Sequence, residues 1–217
     1  MSSCGVVVFV NGVAQGTEYF GTSWGGQMMI WTALFDKYMK DRYIPYDSVL
    51  SLIGKAVDGS QADRDRISRF YNLHEHRPEM LKCEIACQLS SMDHAVVMAA
   101  DFAEFCADLR EFVRLFGLTG REQLSLWAEY ISALPAGVDA VAFHGTTIVA
   151  NPWFTSVALE SQPQSGEASD ADDNTDEPEP VGYSLTAGSL HFDVYEAVRS
   201  RLQANADAAL ENTENVK

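Results

Sequence analysis

Residues 160–180, ESQPQSGEASDADDNTDEPEP, contain no Val, Ile, Leu, Met or aromatic residue. No other feature limits the folding of this 217-residue chain so sharply. Fixing a backbone costs about 1–2 kcal/mol of conformational entropy per residue, and buried apolar surface must offset it. This stretch has none to bury. It reads as a disordered acidic insertion between a body, residues 1–159, and a C-terminal piece, residues 181–217, whose helix packs back on the body and ends in a frayed tail. With about 100–200 residues to a typical domain, the body is expected to be a single one. The chain's 11 Phe, 8 Tyr and 4 Trp supply a real core.

Charge is segregated in the same way. The formal net charge is −16, and residues 160–180 carry eight Asp or Glu and no Lys or Arg. Half the net charge therefore sits in a tenth of the chain, and the body is only mildly acidic. Its basic cluster, Arg64, Arg66, Arg69 and Arg77, is interleaved with Asp63, Asp65, Glu75 and Glu79 at spacings that pair charges on a solvated helix face. Such a surface should repel a phosphate backbone, so direct binding of nucleic acid is not expected.

The N-terminal apolar run, Val6–Val10, stops at Asn11-Gly12. It is too short for a signal segment and has no basic residues before it. No stretch approaches the 18 apolar residues of a membrane span, so no membrane partner is expected. Four scattered cysteines make no disulfide framework. The expected compartment is a reducing cytoplasm.

Along the body, β-branched Cys4–Val10, the turn pair Asn11-Gly12 and Val13–Phe20 read as a hairpin. Gly21–Gly26 then leads into a helix over 27–40, with Ile30/Leu34 and Trp31/Phe35 as i,i+4 pairs. Pro45 ends that region. Short helices are expected after Asp47 and over 61–72, the latter capped by Ser60. Leu81, Cys83, Ile85, Cys87 and Leu89 alternate with Lys82, Glu84 and Gln88, which predicts a strand over 81–89. The turn at Ser90–Asp93 would make it a second hairpin with residues 94–98. Asp101-x-x-Glu104 and Thr119-x-x-Glu122 open two more helices, to Phe116 and Leu134. Val138–Val149 is expected as a strand and His191–Leu210 as the last helix, fraying past Asn205. The order specifies an α+β fold: a small, mainly antiparallel sheet of two hairpins plus one strand, covered by about six helices.

Three constellations carry metal-binding or reactive residue types. His74, His76, Cys83 and Cys87 are four zinc-ligand types within fourteen residues. On a strand, however, the two cysteines lie about 13 Å apart, at about 3.3 Å per residue, too far for one ion. They read instead as small buried side chains, and no metal or other cofactor is expected. The Gly21–Gly26 turn lacks the lysine and spacing of a phosphate loop, and serves as the weaker candidate for a small anion. His144 stands near Thr146 and Thr147. Only 144 and 146 share a strand face, which leaves His144 as a general base toward Thr146 as the enzymatic alternative.

With no complete catalytic motif, the expected function is non-catalytic: an acidic accessory protein that binds another protein, as inhibitor or adaptor. A basic, nucleic-acid-binding partner would be steered by carboxylates standing where phosphates otherwise lie. A small accessory protein of a mobile element fits this profile. The contact surface is expected at Asp170, Asp172, Asp173, Asp176, Glu177 and Glu179, with Trp24 or Trp153 as aromatic anchors.

Overall fold

The computed structural model describes residues 4–20, 25–40, 48, 51–53, 59–92, 94–117, 123–144, 153–155, 181–186 and 191–214. Its centre is a five-stranded sheet in the order β2-β1-β4-β3-β7. β1 (Cys4–Val10) and β2 (Val13–Phe20) form the expected hairpin. Asn11 and Gly12 turn it with φ of 52° and 72°, the two left-handed positions that a tight two-residue turn requires. β4 (Val138–His144) pairs antiparallel with β1 on one side and with β3 (Ala95–Met98) on the other. The short β7 (Phe192–Asp193) adds to β3 in parallel. The mainly antiparallel sheet and abundant helix make the fold α+β.

The helices are α1 (Gly25–Tyr38), α2 (Gln61–Tyr71), α3 (Leu73–His76), α4 (Lys82–Ser90), α5 (Phe102–Leu115), α6 (Gln123–Ser132) and α7 (Val194–Glu214). They bury one face of the sheet: Val6, Ala95, Val97, Val141 and Phe143 pack with Leu34, Phe105, Leu109, Trp127 and Tyr195 in one large core. Alternate residues of the same strands, Val7, Phe9, Val96, Ala140 and Ala142, form a second, smaller cluster on the opposite face. Residues 6–10 of β1, 95–98 of β3 and 140–143 of β4 are therefore apolar at every position, as strands covered on both sides must be.

The described cover on that second face comes from residues around Phe154 and Tyr183. Trp153 leads into β5 (Phe154–Thr155), which pairs antiparallel with β6 (Val181–Gly182). The chain after β6 continues along the start of β2: Ala14 N–H donates to the Tyr183 carbonyl (2.9 Å), and Leu185 N–H to that of Gly12 (2.7 Å). Trp153, Phe154, Tyr183 and Leu185 thus lie on the small cluster.

Two expectations need correction. Residues 82–90 are a helix, not a strand, so β3 has no hairpin partner before it and pairs with β4 and β7 instead. The alternation is broken because Glu84, Ala86 and Gln88 are buried along with Cys83, Ile85, Cys87 and Leu89. No single face is solvated, so a period of two has no meaning here. The last element also differs: Phe192 and Asp193, expected as helix, form β7, and the helix itself spans Val194–Glu214.

Candidate functional site

The structure divides the sequence's candidates into those it positions and those outside the described residues. Trp24, Thr146, Thr147 and the acidic positions Asp170, Asp172, Asp173, Asp176, Glu177 and Glu179 fall outside. Of the Gly21–Gly26 turn, only Gly25 and Gly26 are described, as the first residues of α1. His144 closes β4 and pairs with Gly5 of β1.

What is described of the acidic segment is its two roots. Thr155 pairs with Val181, so the residues between them leave and re-enter the body through one two-stranded neck. That neck is held to the sheet by close packing. A Cβ on Gly182 would stand 2.0 Å from the Ala14 carbonyl oxygen, so only glycine permits this approach. Trp153, expected as an aromatic anchor, is 1% exposed. Its ring meets Phe9 and Tyr183 edge-on, at 5.4 Å in each case, and so secures the base of the neck.

A second feature of this face joins residues far apart in sequence. His94, held at φ 65°, places its ring 5.9 Å from that of Trp153. His191, just before β7, lies 5.9 Å from the Tyr183 ring and 3.2 Å, Nδ1 to hydroxyl, from its oxygen. Two half-buried imidazoles thus flank one Trp–Tyr pair at the end of the sheet. Sequence reasoning missed both. His94 was read only as the start of a strand and His191 only as the start of a helix.

The weaker zinc alternative, His74, His76, Cys83 and Cys87, is not assembled. With α4 helical, Cys83 and Cys87 are one turn apart, so the 13 Å separation argued from a strand does not apply. The electrostatics oppose metal binding instead. Burial raises the Cys83 thiol to about 11, helped by Glu84 and Asp108, and burial raises Cys87 well above the ordinary thiol range. Both stay protonated at neutral pH, whereas a metal needs the thiolate. His76 is exposed, while burial and nearby Arg201 lower the imidazole pKa of His74. Among the described residues, no three His, Cys, Asp or Glu side chains gather as a metal site.

Around α4 lies a polar network that the sequence did not reveal. Glu84, fully buried, accepts from Lys37 Nζ (2.5 Å), the Tyr38 hydroxyl (2.6 Å) and Leu81 N–H (2.8 Å). Asp108 accepts from Lys82 Nζ (2.9 Å) and the Tyr195 hydroxyl (2.5 Å). Gln88 Nε2 donates to the Phe70 carbonyl, and its Oε1 accepts from His74 N–H. The groups joined lie on α1, α2, α3, α4, α5 and α7 and on the segment leading into α4. Burial and the adjacent carboxylates hold both tyrosines well above their ordinary range, as permanent donors. The network has no free nucleophile and reads as interhelical fastening.

No protein-family model matches this chain, and no curated protein or solved structure is similar to it.

Proposed function

We propose that this protein is a non-catalytic, acidic interaction protein that captures a basic protein partner, as inhibitor or adaptor, through residues 160–180. One observation carries the reading. Eight carboxylates, with no compensating base, occupy a segment whose two ends are joined by the pairing of Thr155 with Val181. Joining the chain at 155 and 181 tethers the segment at both ends, which lowers the entropy lost when a partner gathers it. Dense negative charge raises the association rate with a positive surface, and salt weakens the attraction. A nucleic-acid-binding protein presents such a surface, and the reading places the encounter in the cytoplasm.

The test compares the full chain with a variant in which all eight acids of 160–180 become Asn or Gln, keeping length and neck. Each is used to capture proteins from native lysate at low and high salt. A basic protein retained by the natural chain, lost at high salt and lost with the neutral variant is the expected result. Equal capture by both chains, or no capture by either, overturns the proposal.

A further inference from the structure

We propose that Asn11 is a latent site of deamidation and that Asp139 is the latch that holds it unreactive. This does not rest on the acidic segment. Asn11-Gly12 is the only Asn-Gly pair in the chain, and Asn11 is exposed at the tip of the β1–β2 hairpin. A glycine after asparagine has no side chain to shield its backbone nitrogen, which is therefore open to attack the asparagine side chain. In that step the Gly12 nitrogen bonds to Asn11 Cγ and gives its proton to hydroxide. The Cγ–Nδ2 bond breaks, and Nδ2 leaves as ammonia after taking a proton from water. Water then opens the five-membered imide at either carbonyl carbon. The product is an aspartyl residue or an isoaspartyl linkage, whose main chain is one carbon longer.

The folded hairpin forbids that ring closure. Asn11 is held at φ 52°, and in the left-handed region ψ is positive as well. The Gly12 nitrogen then stands anti to Asn11 Cβ, and no rotation about the Cα–Cβ bond brings Cγ within bonding reach of it. The turn must open first, and both backbone polar groups of Gly12 are tied down. Its N–H donates to Asp139 Oδ2 at 2.7 Å, and its carbonyl accepts from Leu185 N–H at 2.7 Å. The first of these bonds also occupies the nitrogen that would attack. Asp139 owes its reach to an irregularity of the sheet. β1 and β4 pair Phe9 with Ala140 and Val10 with Val138, so Asp139 is the extra residue of a bulge. A bulge re-aims a side chain out of the regular alternation. Here it turns a carboxylate onto a turn 127 residues away in sequence.

The full chain is incubated in mildly alkaline buffer, with and without urea, and deamidation at each asparagine is followed by peptide mass spectrometry. In urea Asn11 is expected to react fastest of the chain's asparagines, and folding is expected to slow it by more than about tenfold, the factor that one hydrogen bond to a charged group can supply. In the folded chain Asp139→Ala should speed Asn11 by at least about tenfold on the same ground, with the rate at Asn72 unchanged. Asp139→Asn keeps an acceptor oxygen without the charge, so its rate should fall between those of the natural chain and the alanine variant. It carries the test if circular dichroism shows that the alanine variant does not fold. The proposal is overturned if Asn11 reacts no faster in urea than in the fold, or if the variants leave its rate unchanged. An equal rise at Asn72 would mark general loosening and overturns the latch. A slower reaction in Asp139→Ala overturns it too, since the carboxylate would then be a base that activates the Gly12 nitrogen.

Discussion

Glu84 shows how a single side chain holds several elements at once. Its carboxylate accepts from the Tyr38 hydroxyl, the Leu81 N–H and the Lys37 ammonium, and all three lose that partner if it is removed. Glu84→Ala should therefore cost about 3 kcal/mol, since each buried donor left unsatisfied costs about 1–3 kcal/mol, while half-exposed Lys37 turns to water. Tyr38→Phe removes one bond and leaves the carboxylate its other donors, so about 1 kcal/mol is expected. Urea midpoints at constant m-value measure both, and equal losses would show that the carboxylate is not the shared acceptor.

Titration at single residues also bounds the pH range. Cys83 and Cys87 keep their protons in the fold, with Cys83 at about 11 against an ordinary 9.0. Above pH 9 the unfolded chain releases protons that the folded chain retains, so stability falls as pH rises from 9 toward 11. For His74 the sign reverses. Burial lowers its pKa from 6.5, so below that pH the unfolded chain binds a proton that the fold refuses, and stability falls with acid. Thermal unfolding across pH should show a plateau between about 6.5 and 9, with losses on both sides. His74→Gln should flatten the acid side alone, and an unchanged acid limb would remove His74 from the explanation.

At the scale of elements, the sequence was legible wherever one face of a segment meets water. The β1–β2 hairpin, the Ser60-capped helix and the Asp101–Phe116 helix all followed from periodicity and end signals, and Ser60 N–H does donate to Asp63 (2.9 Å). α4 failed because it is buried all round, which erases the contrast that separates a period of 3.6 from a period of 2. Its helix-forming Lys, Glu, Ala, Gln and Leu, with Glu84 reaching back to Leu81 N–H, were the signal available. The two imidazoles on the small cluster were not legible at all. His94 and His191 are brought to Trp153 and Tyr183 by strand order and register, which no local pattern encodes. The neck offers a prediction on this scale. In Gly182→Ala the new methyl must displace the Ala14 carbonyl, 2.0 Å away, and the β6 segment with it. A loss of about 1–3 kcal/mol is expected, as for other overpacked sites, with faster proteolysis between 155 and 181. A variant of unchanged melting temperature and proteolysis rate would mean that the neck yields freely.

For the molecule as a whole, the acidic segment divides a single core rather than two domains. Val194, Tyr195 and Val198 of α7 are fully buried against helices of the body, and β7 completes the sheet beside β3. Arg199 pairs with Asp101 (2.9 Å), and Arg201 donates to the Glu75 carbonyl (2.8 Å). Burying three such side chains contributes about 1.5–3 kcal/mol each, and none of it depends on the peptide bonds of residues 160–180. A protease site placed between Ser165 and Gly166, once cut, should leave the two pieces bound. They are expected to elute together in native buffer and to separate only in denaturant, with a melting temperature that now rises with protein concentration. The cut molecule tests the joining role of the segment as well. A closed loop brings the C-terminal piece to its site at high effective concentration, so cutting should slow refolding and make it second order, while unfolding in native buffer changes little. Pieces that part on dilution in native buffer would show that α7 and β7 are held by the chain's continuity and not by the core they complete.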